Sequence, residues 1–128
     1  MVSPGNTVLV VDDDPDVADT HVRLLQVIGY SAFPQSNPEQ VEPVLAKKPE
    51  IDLILLDINM PVMNGLEFLQ RVQKEPAYQA IPIIIISTEG KEEDTVRGLK
   101  MGAKGYVKKP FQASELHGLI EKVTASPS

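Results

Sequence analysis

Four large apolar residues in a row, Leu53-Ile54-Leu55-Leu56, constrain the fold most, because they show no polar alternation. Such a run suits a strand buried on both faces, as in a parallel sheet covered by helices on either side. It ends in Asp57, a carboxylate too costly to bury unpaired, which therefore belongs at the strand's C-terminal end. Pro61 and Asn64-Gly65 then turn the chain. Taken alone, Asp57 reads as an ordinary turn residue. Two further apolar runs end the same way, however. Val8-Leu9-Val10-Val11 precedes Asp12-Asp13-Asp14, and Ile83-Ile84-Ile85-Ile86 precedes Ser87-Thr88-Glu89. If the three are neighbouring parallel strands, their polar ends meet at the edge where open α/β sheets bind ligands. Asp12, Asp13 and Asp57 gathered there would repel one another without a cation, so the pattern asks for a metal.

Cap and turn signals fill in the rest. The first strand is expected over Thr7 to Asp12, and Asp14-Pro15 reads as an N-cap with proline in the first helical turn. The first helix should run to about Ile28 and stop at Gly29, with Ala18, Val22 and Leu25 inward. Tyr30 to Phe33 is a weaker second strand. Asn37-Pro38 opens a second helix with Val41, Val44 and Leu45 inward and Pro43 kinking or shortening it. A third helix begins near Asn64, carries Leu66, Leu69 and Val72, and ends before Pro76. The fourth strand is Ile83 to Ser87. The fourth helix, about Lys91 to Met101, is polar, with Val96 and Leu99 inward and Gly102 as its C-cap. Gly105-Tyr106-Val107 is a short fifth strand. A fifth helix after Ser114 shows Leu116, Leu119, Ile120 and Val123 at helical spacing. His21 and His117 are expected to face solvent. The alternation predicts a (βα)5 flavodoxin-like doubly wound parallel sheet in the order 2-1-3-4-5, which makes the third strand the neighbour of the first and fourth. Residues 7–124 form the domain, 1–6 a flexible lead and 125–128 a tail.

A length of 128 residues fits one domain, and a formal net charge of −6 argues against direct nucleic-acid binding. The chain has no cysteine, which excludes disulfides and thiolate metal sites and suits the cytoplasm. No apolar run approaches the roughly 18 residues of a membrane span, and no signal-peptide pattern opens the chain, so neither membrane attachment nor export is expected.

Four motifs in order, each at a strand end, carry a family resemblance. They are Val10-Val11-Asp12-Asp13; Leu55-Leu56-Asp57-Ile58-Asn59-Met60-Pro61-Val62-Met63-Asn64-Gly65; Ile85-Ile86-Ser87-Thr88-Glu89; and Gly102-Ala103-Lys104-Gly105-Tyr106-Val107-Lys108-Lys109-Pro110-Phe111. From Val8 to about Val123 the chain resembles the receiver domain of two-component response regulators. In length, Asn59, Glu89 and Tyr106 it looks closest to the single-domain chemotaxis regulators.

The resemblance implies that Asp57 accepts a phosphoryl group from a sensor histidine kinase, a phosphotransfer protein or a small donor such as acetyl phosphate. It implies Mg²⁺ (or Mn²⁺) held directly by Asp13, mostly through water by Asp12, and by Asp57 and the backbone carbonyl of Asn59. Few protein ligands, with waters and a phosphoryl oxygen, is the usual way Mg²⁺ is bound. Lys109 would stand beside Asp57, aimed inward by a turn at Pro110. Ser87 would hydrogen-bond the phosphoryl group, a mild departure from the threonine common in the family, and Thr88 replaces a smaller residue. Ser87 and Tyr106 would act as the switch, while Asn59 and Glu89 would modulate hydrolysis. The chain would then catalyse its own phosphorylation and dephosphorylation without a separate substrate, signal an unknown protein target, and remain a monomer. Asp14 suits a helix cap better than a ligand.

Three other readings compete. Asp12-Asp13-Asp14 also fits the opening motif of haloacid-dehalogenase-type phosphohydrolases, with Asp12 as nucleophile, but Asp16 stands where threonine or valine is expected. A flavodoxin-type cofactor binder needs a Ser/Thr/Gly-rich first loop, where three aspartates would repel phosphate. A pseudo-receiver that only binds a partner would not need Asp13, Asp57, Ser87 and Lys109 together.

Overall fold

The computed structural model describes residues 7–12, 14–47, 51–57, 65–76, 78, 81–88, 90, 92–109 and 111–124, excepting the side chains of Pro38, Leu66 and Thr124. Five strands alternate with helices: β1 (Thr7–Val11), α1 (Pro15–Val27), β2 (Ser31–Gln35), α2 (Val41–Lys47), β3 (Ile51–Asp57), α3 (Gly65–Lys74), β4 (Ile83–Ser87), α4 (Glu92–Lys100), β5 (Gly105–Lys108) and α5 (Ala113–Thr124). All neighbouring strands are parallel, and the sheet order is β2-β1-β3-β4-β5, as the alternation of motifs requires.

The unalternating apolar runs are explained by a core on each face of the sheet. Leu53 and Leu55 join Val8, Val10, Ile84 and Ile86 under α1 and α5. Ile54 and Leu56 join Leu9, Val11, Ile83 and Ile85 under α2 and α3. Every residue from Leu53 to Leu56 is fully buried, so a polar side chain at any of them would lack a partner. Pro34 is tolerated in β2 because that strand is an edge of the sheet.

Local chemistry sets the helix boundaries. The Asp14 side chain accepts from the Asp16 N–H at 3.0 Å and caps α1, with Pro15 in its first turn. At the other end Gly29, at φ +106°, donates to the Gln26 carbonyl while Tyr30 donates to that of Leu25, a paired C-terminal closure. Gly102, at φ +124°, ends α4 in the same way through Gly102 to Leu99 and Ala103 to Gly98. Pro43 shortens rather than kinks its helix. The segment Pro38–Gln40 forms a 3-10 turn, and α2 starts at Val41, so Pro43 sits in the first turn, where a missing N–H breaks no bond.

Two sequence expectations require correction. His21 does not face solvent: it is 7% exposed and its ring stacks on Phe111 at 5.5 Å between centroids. The inner face of α4 includes Leu99, which packs against the core as expected, but not Val96. Val96 is half exposed, Leu99 partly buried, and the buried residues of the helix are Thr95 and Gly98. Small side chains let the helix backbone approach the sheet, an advantage that hydropathy does not register. The expectations for Leu66 and for the structure before Thr7 and after Thr124 lie outside the described residues.

Candidate functional site

The registers bring the polar strand ends together. Val11 lies opposite Leu56, Asp57 opposite Ile86, and Ser87 opposite Lys108, so Asp12, Asp57, Ser87 and Lys109 occupy one edge of the sheet. Backbone bonds fasten that edge: the Asp12 N–H donates to the Gln35 carbonyl at 3.2 Å, and that of Lys109 to the Ser87 carbonyl at 2.8 Å. Asp12, Asp57 and Ser87 are all buried. The Lys109 side chain, partly buried, places Nζ 3.9 Å from Asp57 Oδ2. Tyr106, on β5, is half exposed and stands apart from this cluster, beside a cavity of about 320 Å³ that Ser87, Thr95 and Leu99 also line. Asp13, Asn59, Glu89 and Pro110 lie outside the described residues.

Asp12 has the most unusual electrostatics of the group. Burial, reinforced by the Asp57 charge, pushes its carboxyl up to about 7, against the pull of the Asp14 N–H and Lys109. Asp12 Oδ1 accepts from the Asp14 N–H at 3.0 Å, whereas Oδ2 is buried and has no hydrogen-bond partner among the described residues. An unpartnered buried oxygen beside a second carboxylate fits a hard divalent cation, which takes oxygen ligands and relieves their repulsion. Among the described residues Asp12 and Asp57 are the acids at this edge, and no group of three potential ligands forms. Asp12 and Asp57, with Asp13 next to Asp12 in sequence, are the residues that would hold the ion.

Two contacts at the site's border were not anticipated. Thr95 of α4 donates its hydroxyl to Ser87 Oγ at 2.8 Å. On the other side, His21 and Phe111 form a stacked wall, and with Lys109 they line an open groove of about 720 Å³. Burial, and then the Lys109 charge, lower the His21 pKa, so the ring is neutral at pH 7. The signal for His21 was present in the sequence, since Ala18, His21, Val22 and Leu25 follow a single helical stripe. Nothing comparable marked Thr95.

Comparison with known proteins identifies the family. The profile of the response regulator receiver domain matches residues 8–121. The chain is 34% identical over 120 residues to the phosphate regulon transcriptional regulatory protein PhoB of Pseudomonas aeruginosa, covering 93% of this chain and 52% of that protein. It therefore spans about half the length of that relative. It is 31% identical over 121 residues to the chemotaxis protein CheY homolog of Campylobacter jejuni, covering 94% of this chain and 93% of the other. The solved structure of the chemotaxis response regulator CheY4 of Vibrio cholerae superposes with a TM-score of 0.77 at 32% identity, over 91% of this chain and 97% of that one. Long transcriptional regulators and single-domain chemotaxis proteins thus match alike, and the finer likeness to chemotaxis regulators does not stand out. The haloacid-dehalogenase and flavodoxin readings fall away, and the chain belongs to the response regulator receiver domain family.

Proposed function

We propose that residues 7–124 act as a phosphoryl-accepting receiver in a two-component relay, with Asp57 as acceptor. The observation that carries this reading is the convergence of Asp57, Asp12, Ser87 and Lys109 at one sheet edge, with Lys109 Nζ 3.9 Å from the Asp57 carboxylate. A carboxylate is a weak nucleophile, so positioning and charge neutralisation must supply the rate. An Asp57 oxygen attacks the phosphorus of a phosphohistidine on a kinase or phosphotransfer protein, and the bond to the donor imidazole breaks. Lys109 stabilises the negative charge on the phosphoryl oxygens, and the Ser87 hydroxyl donates to one of them. Asp13, Asp57, Asp12 and Asn59 are the residues that would hold Mg²⁺, which would supply positive charge to offset the acids and the transferring group. Burial of Asp57 at the end of β3 keeps its carboxylate fixed for attack.

The output is a surface change. When Ser87 moves toward the phosphoryl group, Tyr106 turns into the cavity beside it, and α4, β5 and α5 present a different face to a protein partner. That face mixes Glu92, Arg97, Lys104 and Lys122 with the exposed Val96, which suits a transient partner and leaves the chain monomeric. No helix among the described residues is long and apolar enough to cross a membrane, and a cytoplasmic location follows from the relay itself.

Acetyl phosphate with Mg²⁺ should add a single phosphoryl group, seen by intact mass at low temperature, and Asp57→Asn should abolish it. Equal labelling of that variant would move the site to another acid. No labelling of wild type would leave a pseudo-receiver. Asn59 and Glu89 admit the hydrolytic water in this reading, so Asn59→Met and Glu89→Leu should each lengthen the phosphoryl lifetime several-fold. Unchanged lifetimes in both would remove them from the mechanism.

A further inference from the structure

Two buried hydroxyls join the site to α4. Thr95 is 4% exposed and Ser87 3%, and Thr95 Oγ1 donates to Ser87 Oγ at 2.8 Å. Ser87 Oγ in turn lies 3.3 Å from the Thr88 carbonyl, the acceptor for its own proton. A serine hydroxyl has one proton and two lone pairs. Ser87 can therefore give its proton to a phosphoryl oxygen only by turning it away from Thr88, and it can do so while one lone pair still accepts from Thr95. The Thr88 contact, at the long end of the range, is the easier one to give up. The Thr95 contact is short and dry, and losing it would leave a buried hydroxyl without that acceptor.

The other links of α4 near this end are weaker. Glu92 pairs with Lys108 at 3.0 Å, but both side chains are well exposed, and exposed pairs contribute little. Val96 faces solvent, and Leu99 is only partly buried. Among the described residues, the Thr95 hydroxyl is thus a buried link from the first turns of α4 to the residue that must move.

We propose that Thr95 is the positioning residue that transmits the state of Ser87 to α4. On the reading of Asp57 as phosphoryl acceptor, Ser87 pulls on the Thr95 hydroxyl as it turns to the phosphoryl group, and α4 moves with it. Thr95 does not touch the reacting atoms. Its role is to convert a hydroxyl rotation at the sheet edge into a helix displacement on the output face.

Thr95→Val removes the hydroxyl and keeps the shape, and the test is amide NMR with and without beryllofluoride, which stands in for the phosphoryl group. Wild type should show shifts both around Asp57 and along α4. In Thr95→Val the shifts around Asp57 should persist while those along α4 fall by more than half, and Thr95→Ser should restore them. Thr95→Ala removes the same hydroxyl without risk of overpacking and must give the same loss. In a Ser87→Ala background, Thr95→Val should have no further effect on α4, because the pair is already broken. If α4 responds in the valine and alanine variants as in wild type, Thr95 is only a packing residue. If wild type takes up no beryllofluoride, the acceptor role of Asp57 fails first and this coupling with it.

Discussion

α1 and α4 flank the same site from opposite faces of the sheet, and they are held in place by different means. α1 runs 13 residues, is capped by Asp14 and Pro15, and buries Ala18, His21, Val22 and Leu25. α4 runs 9 residues, carries Glu92, Glu93 and Asp94 in its first turn, and buries only Thr95 and Gly98. Local opening free energy follows buried apolar contact, so on the function proposed above α1 is expected to serve as scaffold and α4 as the element that changes position. A receiver must hold its acids and lysine rigid while presenting a surface that depends on their state. The proposal assigns these duties to the two helices separately.

Truncation is the harshest test of that division. Leu25 is fully buried in the core under α1, so Leu25→Ala should cost about 3 kcal/mol in urea unfolding. Leu99, partly buried, should cost about 1 kcal/mol when cut to alanine, in line with its smaller buried area. Equal losses at the two positions would mean that α4 is as firmly packed as α1, and its part as the moving element would have to pass elsewhere.

The division also marks where the sequence could be read and where it could not. The three apolar runs, their order in the sheet and the polar residues at their ends were legible because burial on two faces forbids polar alternation and strand ends must carry the buried chain's charges. Caps at Asp14, Gly29 and Gly102 were legible because orphan backbone groups and a positive φ admit few residue types. The phase of α4 was not. Val96 outranks Thr95 and Gly98 in hydropathy, but close approach of helix to sheet rewards small side chains, and the Thr95 hydroxyl finds its partner 8 residues earlier in sequence. His21 was misread for the opposite reason. Its stripe was right, and its polarity was given too much weight.

Buried charge on the rigid side offers a second, smaller test. Asp12, which accepts from the backbone at the entry to α1, has its carboxyl raised from 3.8 to about 7. The folded chain therefore binds more protons than the unfolded one between these values. Metal-free stability should fall as pH rises from about 4 to 7 and level off above. Asp12→Asn should remove that slope, stabilising the metal-free chain at pH 8 and having little effect at pH 4. Chemical denaturation across this range, wild type against variant, measures the difference directly. Adding Mg²⁺ should stabilise wild type more at pH 8 than at pH 6, because the ion and the proton compete for the same oxygens. A pH-independent difference between the two proteins would mean that Asp12 stays ionised without a cation and that the edge is less crowded with charge than its burial implies.

The smallest expected effect sets the two buried polar side chains, one on each helix, against each other. Thr95 on α4 is paired, whereas His21 on α1 has its Nδ1 buried without a partner among the described residues. An unmet buried nitrogen costs roughly 1 kcal/mol or more, so His21 should be a stability cost that α1 carries for the sake of its stack on Phe111 and its place beside Lys109. His21→Phe keeps an aromatic ring against Phe111 and removes the nitrogen, and it should gain roughly 1 kcal/mol at pH 8. The gain should widen below pH 6.5. There the unfolded wild type takes up a proton that the folded chain resists, through burial and the Lys109 charge, so wild-type stability drops as the variant's does not. Urea midpoints at pH 8 and pH 5 are enough to decide. A variant weaker than wild type at both would show that the imidazole supplies more to α1 than its ring, and the contrast between a costly polar group on α1 and a paired one on α4 would fail.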